Sequence, residues 1–341
     1  MKEKLRIGII GCGRIGRVHA ESIRTRVQGA EVIALADPMM NDEMKSWCEG
    51  MGIQRTTADP QDIIDAKDID AVLICSPTPT HSPLIKAAAL VGKDIFCEKP
   101  IDTDLNRINE TMDVVRESGV KFQIGFNRRF DHNHMAVREA VTTGKIGKVH
   151  VVKVTSRDPE PPSPAYVAIS GGIFLDMMIH DFDMVRYLSN QEVVEVNAIG
   201  AVLVDPEIGK AGDVDTAIVT LKMSDGTLAV IDNSRQAVYG YDQRTEVFGE
   251  KGCANVENDT KSLVKISTKD GVDGEKPLFF FLDRYMDSYG LEISDFVDSI
   301  INDTPTLCGI DDAIRPVEIA LAATKSLKEG RAVTIKEIAN M

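Results

Sequence analysis

Gly11-Cys12-Gly13-Arg14-Ile15-Gly16 follows the apolar run Arg6–Ile10 and opens a stretch with helical spacing. A GxGxxG set between a strand and a helix has a physical reading. Gly11 allows the tight turn, Gly13 lets a pyrophosphate approach the backbone, and Gly16 lets helix and strand pack closely. The helix start, with Arg14 and Ile15, then faces the phosphate charge. The six residues alone carry little weight; their context adds more. Asp37 ends the next apolar run 21 residues after Gly16, placed to accept both adenosine ribose hydroxyls and to repel a 2′-phosphate. No arginine occurs in the seven residues after Asp37, so the expected cofactor is NAD rather than NADP.

Outward from this motif, the first 125 residues alternate short apolar runs with helical patterns. Arg6–Ile10, Glu31–Ala36, Ala71–Cys75, Asp94–Cys97 and Lys121–Gly125 read as strands, with a weaker one near Ile53–Thr56. Pro83–Val91 and Asp104–Ser118 read as helices. Continuous apolar strands separated by helices imply a parallel sheet covered on both faces, a doubly wound Rossmann architecture. After Gly147 the texture changes to β-branched, partly alternating runs: Val149–Thr155, Val193–Val202, Thr216–Met223, Thr227–Asp232, Arg244–Phe248 and Leu263–Ser267. Ser224-Asp225-Gly226 predicts a tight hairpin and Gly249–Gly252 a second turn. Glu160-Pro161-Pro162-Ser163-Pro164 reads as a loop, and helical patterns at Arg284–Asn302 and Ile310–Glu329 close the chain. The expected fold is α/β: a Rossmann domain at 1–125, then an α+β domain at 126–341 with a mostly antiparallel open sheet.

The 341 residues suit two domains. A net charge of −14 argues against nucleic-acid and membrane-surface partners. Six scattered cysteines without a CxxC pair read as reduced, mostly buried thiols. MKEKLRIGII lacks the form of a signal peptide and no run approaches 18 apolar residues, so a soluble cytoplasmic protein is expected.

Three further stretches carry chemistry. Ser76-Pro77-Thr78-Pro79-Thr80-His81 lies beyond the fourth strand, at the carboxyl edge where ligands sit in such sheets. Ser76, Thr78 and His81 could meet a cofactor ribose on a loop stiffened by Pro77; the plainer alternative is a turn starting a helix, capped by Thr80 or Ser82. Glu98-Lys99-Pro100 follows the fifth strand. A lysine is usually a solvated surface residue, but at a strand edge its ammonium can bond an alcohol or carbonyl oxygen and stabilise developing negative charge. In Gly171–Asp181 (GGIFLDMMIHD), Asp176 and His180 stand at i and i+4, on one helical face about a turn apart. A carboxylate beside an imidazole makes a plausible general base, against the alternative of a structural pair on a core helix. No second histidine lies at helical spacing, so no metal is expected.

With GxGxxG, Glu98-Lys99-Pro100 and Asp176…His180 in this order, the chain resembles the glucose–fructose oxidoreductase/inositol dehydrogenase family over essentially all its length. Ser156–Pro159, Gly171–Val185, Gly212–Thr216, Tyr239–Gln243 and Phe280–Tyr289 carry a closer resemblance to its inositol 2-dehydrogenase branch. The resemblance implies a catalytic set of Lys99, Asp176 and His180. His180 would take the hydroxyl proton, Asp176 would support it, and Lys99 would hold the reacting oxygen. It also implies a cis Lys99–Pro100 bond and a polyol pocket lined by Arg128, Asp158 and Tyr241. Cofactor contacts would come from the glycine turn, Asp37, Ser76, Pro77, Thr78, His81, Glu98 and Lys99. Homotetramers are common among relatives, so an oligomer is expected. The implied reaction is NAD-dependent oxidation of myo-inositol to 2-keto-myo-inositol. The alternatives are scyllo- or chiro-inositol, a pyranose sugar, or a non-catalytic NAD-binding regulator.

Overall fold

A computed structural model describes residues 4–339, which divide into two compact units. The first joins the chain up to Phe130 to Met286–Arg315; the second joins Asp131–Tyr285 to the chain from Pro316 onward. A single division at residue 125 assigns 286–315 to the second domain, whereas these residues pack in the first. Phe296 and Val297 are fully buried there in one cluster with Ile9, Leu35, Leu73 and Phe96. Helical periodicity shows which face of a segment is apolar, not which sheet will cover it.

The first unit holds six strands: β1 (Leu5–Ile10), β2 (Ala30–Ala36), β3 (Arg55–Thr57), β4 (Ala71–Ile74), β5 (Asp94–Glu98) and β6 (Phe122–Gly125). All pair in parallel in the order β3-β2-β1-β4-β5-β6. This is the doubly wound order, with its switch point between β1 and β4. β4 is buried along its whole length, as a strand covered on both faces must be.

The second unit contains β7 (Val149–Arg157), β8 (Val193–Ala201), β9 (Thr216–Met223), β10 (Leu228–Ser234), β11 (Asp242–Gly249), β12 (Gly252–Val256), β13 (Lys265–Thr268), β14 (Gly271–Gly274) and β15 (Val333–Thr334). Seven of these form one sheet in the order β12-β11-β7-β10-β9-β8-β15. The sheet is mixed: β7 and β10 run parallel while its other pairs are antiparallel. The predicted strand at 263–267 lies outside it, as β13 in a hairpin with β14. The turn before β10 forms as expected, with Gly226 at φ 91°. Cross-strand register places Val151, Ile199, Ile218, Leu228 and Phe248 on one face, all but Val151 exposed. The opposite face carries buried Val152, Val219, Ile231 and Val247. Among the described residues no helix is long and apolar enough to cross a membrane.

Candidate active site

In the first unit the glycine turn is held as its spacing predicts. Gly11 has φ 109°, and a Cβ there would lie 2.7 Å from the Cys75 carbonyl. A Cβ on Gly16 would collide with the Gly11 carbonyl oxygen at 2.0 Å, so the helix Arg14–Thr25 can close onto β1 only with glycine at that position. A Cβ on Gly13, by contrast, would point into open space. The helix N-terminus there carries exposed Arg14 and half-buried Ile15, and its free N–H groups are of the kind that suit an anion. Asp37, just past β2, accepts the Cys12 N–H (2.7 Å) and the Met39 N–H (2.8 Å), fixing its carboxylate beside the turn.

Beyond β4, Ser76 Oγ lies 2.6 Å from Thr80 Oγ1, and Thr78–Thr80 forms a short 3₁₀ turn that runs into the helix His81–Leu90. Pro77 is exposed and Thr78 half-buried, and no side chain caps the helix. His81 departs from the expected cofactor contact. Its ring is buried, with Nδ1 2.8 Å from the Pro100 carbonyl and Nε2 2.7 Å from the Ser76 carbonyl. Burial pulls its pKa below the usual imidazole range, although both carbonyls oppose that shift. The ring therefore ties together the loops after β4 and β5, because a helix N-terminus packed against β5 leaves its first side chain no route outward.

Glu98 likewise turns inward. Its Oε1 lies 2.7 Å from Nε2 of buried His19, and a Cβ on Gly125 would come within 3.1 Å of its carboxylate. Fully buried Glu292 completes a trio whose ligating atoms lie within 4.8 Å of one another. Burial first, and then the charge of Glu98, push the Glu292 carboxyl well above the usual range. A metal suits this trio poorly: Nδ1 of His19 has no acceptor, whereas a ligating imidazole nearly always donates that N–H. Lys99, next along the chain, is half-buried and precedes a cis bond to Pro100. Arg128 is buried in the turn Asn127–Phe130 after β6, at the carboxyl edge of the same sheet.

In the second unit Asp176 and His180 do not share one helix. The helix Gly172–Asp176 ends at the carboxylate and a new one, Ile179–Ser189, begins after Met177 and Met178. Both methionine N–H groups return to the Ile173 carbonyl, closing the first helix before His180. The double glycine opens room for a neighbouring carboxylate. Gly171 and Gly172 have φ 86° and 81°, and a Cβ on Gly172 would lie 2.9 Å from Asp213, whose carboxylate accepts the Ile173 N–H (2.9 Å). Burial raises the Asp213 carboxyl above its usual range despite that bond.

The residue that gathers this cluster is Arg235, which sequence reasoning missed. Its side chain is buried, with Nη1 2.9 Å from Asp176 Oδ2 and 3.6 Å from Asp158 Oδ2. Tyr166 donates its hydroxyl to the other Asp176 oxygen (2.8 Å). Burial, then the charge of Asp176 and this bond, push the Tyr166 phenol far above its usual range, so it stays a donor. His180 is half-buried, and its neighbour Asp181 is locked beneath by Ser156 Oγ (2.6 Å) and Asn233 Nδ2 (2.9 Å). Tyr241, buried just before β11, packs edge-to-face on Tyr285 with ring centroids 6.1 Å apart. An arginine one residue beyond a strand gives no local sign that it will be buried; only the partner strand's Asp158 identifies it.

Two family models match the chain: an oxidoreductase family with an NAD-binding Rossmann fold over residues 5–126, and a GFO/IDH/MocA C-terminal domain over residues 134–255. The chain belongs to the GFO/IDH/MocA oxidoreductases. This family's NAD-binding domain coincides with the sheet and glycine turn described above, and the chain is an NAD-dependent oxidoreductase. Among relatives, it is 48% identical to the oxidoreductase YrbE of Bacillus subtilis, with 98% of each chain covered. It is 46% identical to myo-inositol 2-dehydrogenase of Thermotoga maritima, covering 98% of this chain and 99% of that one. The crystal structure of scyllo-inositol dehydrogenase from Lactobacillus casei, with bound NAD(H) and scyllo-inositol, superimposes with a TM-score of 0.89 at 32% identity, covering 98% of this chain and 100% of that one.

Proposed function

We propose that this oxidoreductase converts one secondary alcohol of a cyclic polyol to a ketone, with myo-inositol as preferred substrate and 2-keto-myo-inositol (scyllo-inosose) as product. The observation that carries the reading is the pair Asp158 and Asp176 gathered on buried Arg235, with Tyr166 on the second oxygen of Asp176. Such a set of fixed acceptors and donors suits a ring bearing hydroxyls around its rim, and it penalises an analogue that leaves one group unpaired. The Thermotoga maritima relative supports the choice of myo-inositol.

NAD, when bound, supplies the acceptor for the hydrogen removed from carbon. Gly11, Gly13, Arg14, Ile15 and Gly16 would hold its pyrophosphate and Asp37 its adenosine ribose. Ser76, Pro77 and Thr78 would line the other ribose, with His81 and Glu98 supporting them from behind. Lys99 donates a hydrogen bond to the reacting oxygen and stabilises the charge that grows there. His180 accepts the hydroxyl proton, and Asp176 favours the imidazolium that results. Arg128, Asp158 and Tyr241 bind the remaining hydroxyls.

Steady-state turnover on myo-, scyllo- and chiro-inositol and on pyranose sugars, with NAD and with NADP, tests the reading. Myo-inositol with NAD is expected to give the highest kcat/KM, and Asp37→Ala to weaken NAD binding and narrow the preference over NADP. A sugar preferred over every inositol overturns the substrate; tight NAD binding without turnover on any polyol favours a regulator instead. The Lactobacillus casei structure favours a second reading, scyllo-inositol, which the same panel separates. The exposed sheet face of Ile199, Ile218, Leu228 and Phe248 is the surface through which we expect a homotetramer to form. Light scattering on the purified chain is expected to give four times its 37.3 kDa, and a monomer removes the assembly.

A further inference from the structure

We propose that Arg235 is a positioning residue of this reaction, fixing the carboxylate of Asp176 while sharing the same guanidinium nitrogen with Asp158. The inference rests on the roles proposed above for Asp176 and His180. Register brings the two carriers together: Ser234 at the end of β10 pairs in parallel with Arg157 at the end of β7, so Arg235 and Asp158 leave one sheet edge side by side. Their backbones are tied down. Arg235 N–H donates to the Asp215 carbonyl (2.8 Å), Asp158 N–H to the Ser234 carbonyl (3.0 Å), and Ala237 N–H to the Asp158 carbonyl (2.6 Å). Asp176 ends a helix of five residues, so backbone geometry alone does little to orient its carboxylate. Nη1 of Arg235 on one oxygen and the Tyr166 hydroxyl on the other set its plane.

A packing role alone would not need this residue. Nε and Nη2 of Arg235 are buried without an acceptor, a cost that an apolar side chain of similar size would not carry. What an apolar side chain lacks is the charge. Asp158, Asp176, Asp213 and the Tyr166 phenol make up the titratable groups gathered here, and Arg235 is the cation that acts on Tyr166 and Asp213. Removing a cation raises the proton affinity of every neighbouring acid and base. The acid limb of the kcat profile must therefore move to higher pH.

The test uses the full chain with saturating NAD and myo-inositol. Arg235→Gln is expected to lower kcat by ~10- to 10²-fold, the size of effect that follows a misplaced catalytic group. The acid limb should rise by about one pH unit, the lower end for loss of an adjacent charge. KM for the polyol should change much less, and NAD affinity should stay within about twofold. Arg235→Lys should restore the acid limb but only part of kcat, since a point charge cannot copy a planar donor. An unchanged kcat and pH profile in Arg235→Gln, with only a lower Tm, overturns the proposal in favour of a structural brace. Should Arg235→Gln fail to fold, wild-type kcat in Arg235→Lys overturns it equally. Asp176→Asn and His180→Asn separate the two levels. If they turn over normally, the assigned roles fail; if they are inactive while Arg235→Gln is normal, only this inference fails.

Discussion

Lys99→Met is expected to lower kcat by at least ~10²-fold while leaving NAD affinity nearly intact. Methionine keeps the length and apolar stem of lysine but removes both the charge and the donors. A contact made most strongly as charge develops on the reacting oxygen appears in kcat, whereas one made equally to bound substrate appears in KM. The residues around Lys99 make this separation clean. The dinucleotide cradle proposed above rests on the Gly11 turn and on Asp37, which the Cys12 amide holds in place, and neighbouring Glu98 is engaged with His19. Stopped-flow and steady-state turnover beside fluorescence titration of NAD make the measurement. Near-normal turnover would remove Lys99 from the mechanism, and loss of NAD binding would recast it as a cofactor ligand.

Asp131→Ala is expected to destabilise the second unit by ~3–5 kcal/mol, the range for breaking a buried ion pair by removing one partner. The Asp131 carboxylate is fully enclosed, with Nη1 of buried Arg284 at 2.5 Å and Nη2 at 3.0 Å. It also accepts the Asn133 and His134 N–H groups at the start of the helix His132–Thr142, and Nδ1 of His134 lies 3.0 Å away. Burial pushes this carboxyl upward, but the bonds and charges of His134 and Arg284 outweigh it and hold the group far below the usual carboxylate range. Alanine leaves the guanidinium buried with Asp259, at 3.1 Å and partly exposed, as its remaining carboxylate partner among the described residues. Urea unfolding gives the loss directly. Asp131→Ala with Arg284→Met should cost less than Asp131→Ala alone, because no buried charge is then stranded. The linkage has a definite sign. A carboxyl whose folded-state pKa is depressed contributes stability above its unfolded-state pKa and loses it as pH falls, so the gap between wild type and Asp131→Ala should close in acid. A loss below ~1 kcal/mol, or a gap that widens in acid, refutes the account.

The first sheet was legible because each of its signals is local. Gly11 and Gly16 are required by contacts within one strand-turn-helix unit, and the strands after them announce themselves as unbroken apolar runs. The tight turn at Ser224–Gly226 was legible for the same reason. The mixed character of the second sheet was not, since the parallel pairing of β7 with β10 joins strands some 70 residues apart that alternate like any antiparallel ones. The spacing of Asp176 and His180 promised one helical face, but the Met177–Met178 break ends that helix first, a matter of where two amides find a carbonyl.

The sequence alone therefore determined the strand-turn-helix of the glycine motif, the parallel doubly wound character of the first sheet and the residue types offered for the proposed alcohol oxidation. Those follow from turn chemistry, hydrophobic period and short spacings, which neighbours along the chain settle among themselves. Only the tertiary structure decided that Glu98 and His81 turn inward, that 286–315 packs with the first unit, and that Asp158 and Asp176 converge on Arg235. Each of these depends on which side chains the tertiary fold brings into contact across long stretches of chain, whether by apolar burial or by an ion pair or hydrogen bond that acts only within about 4 Å.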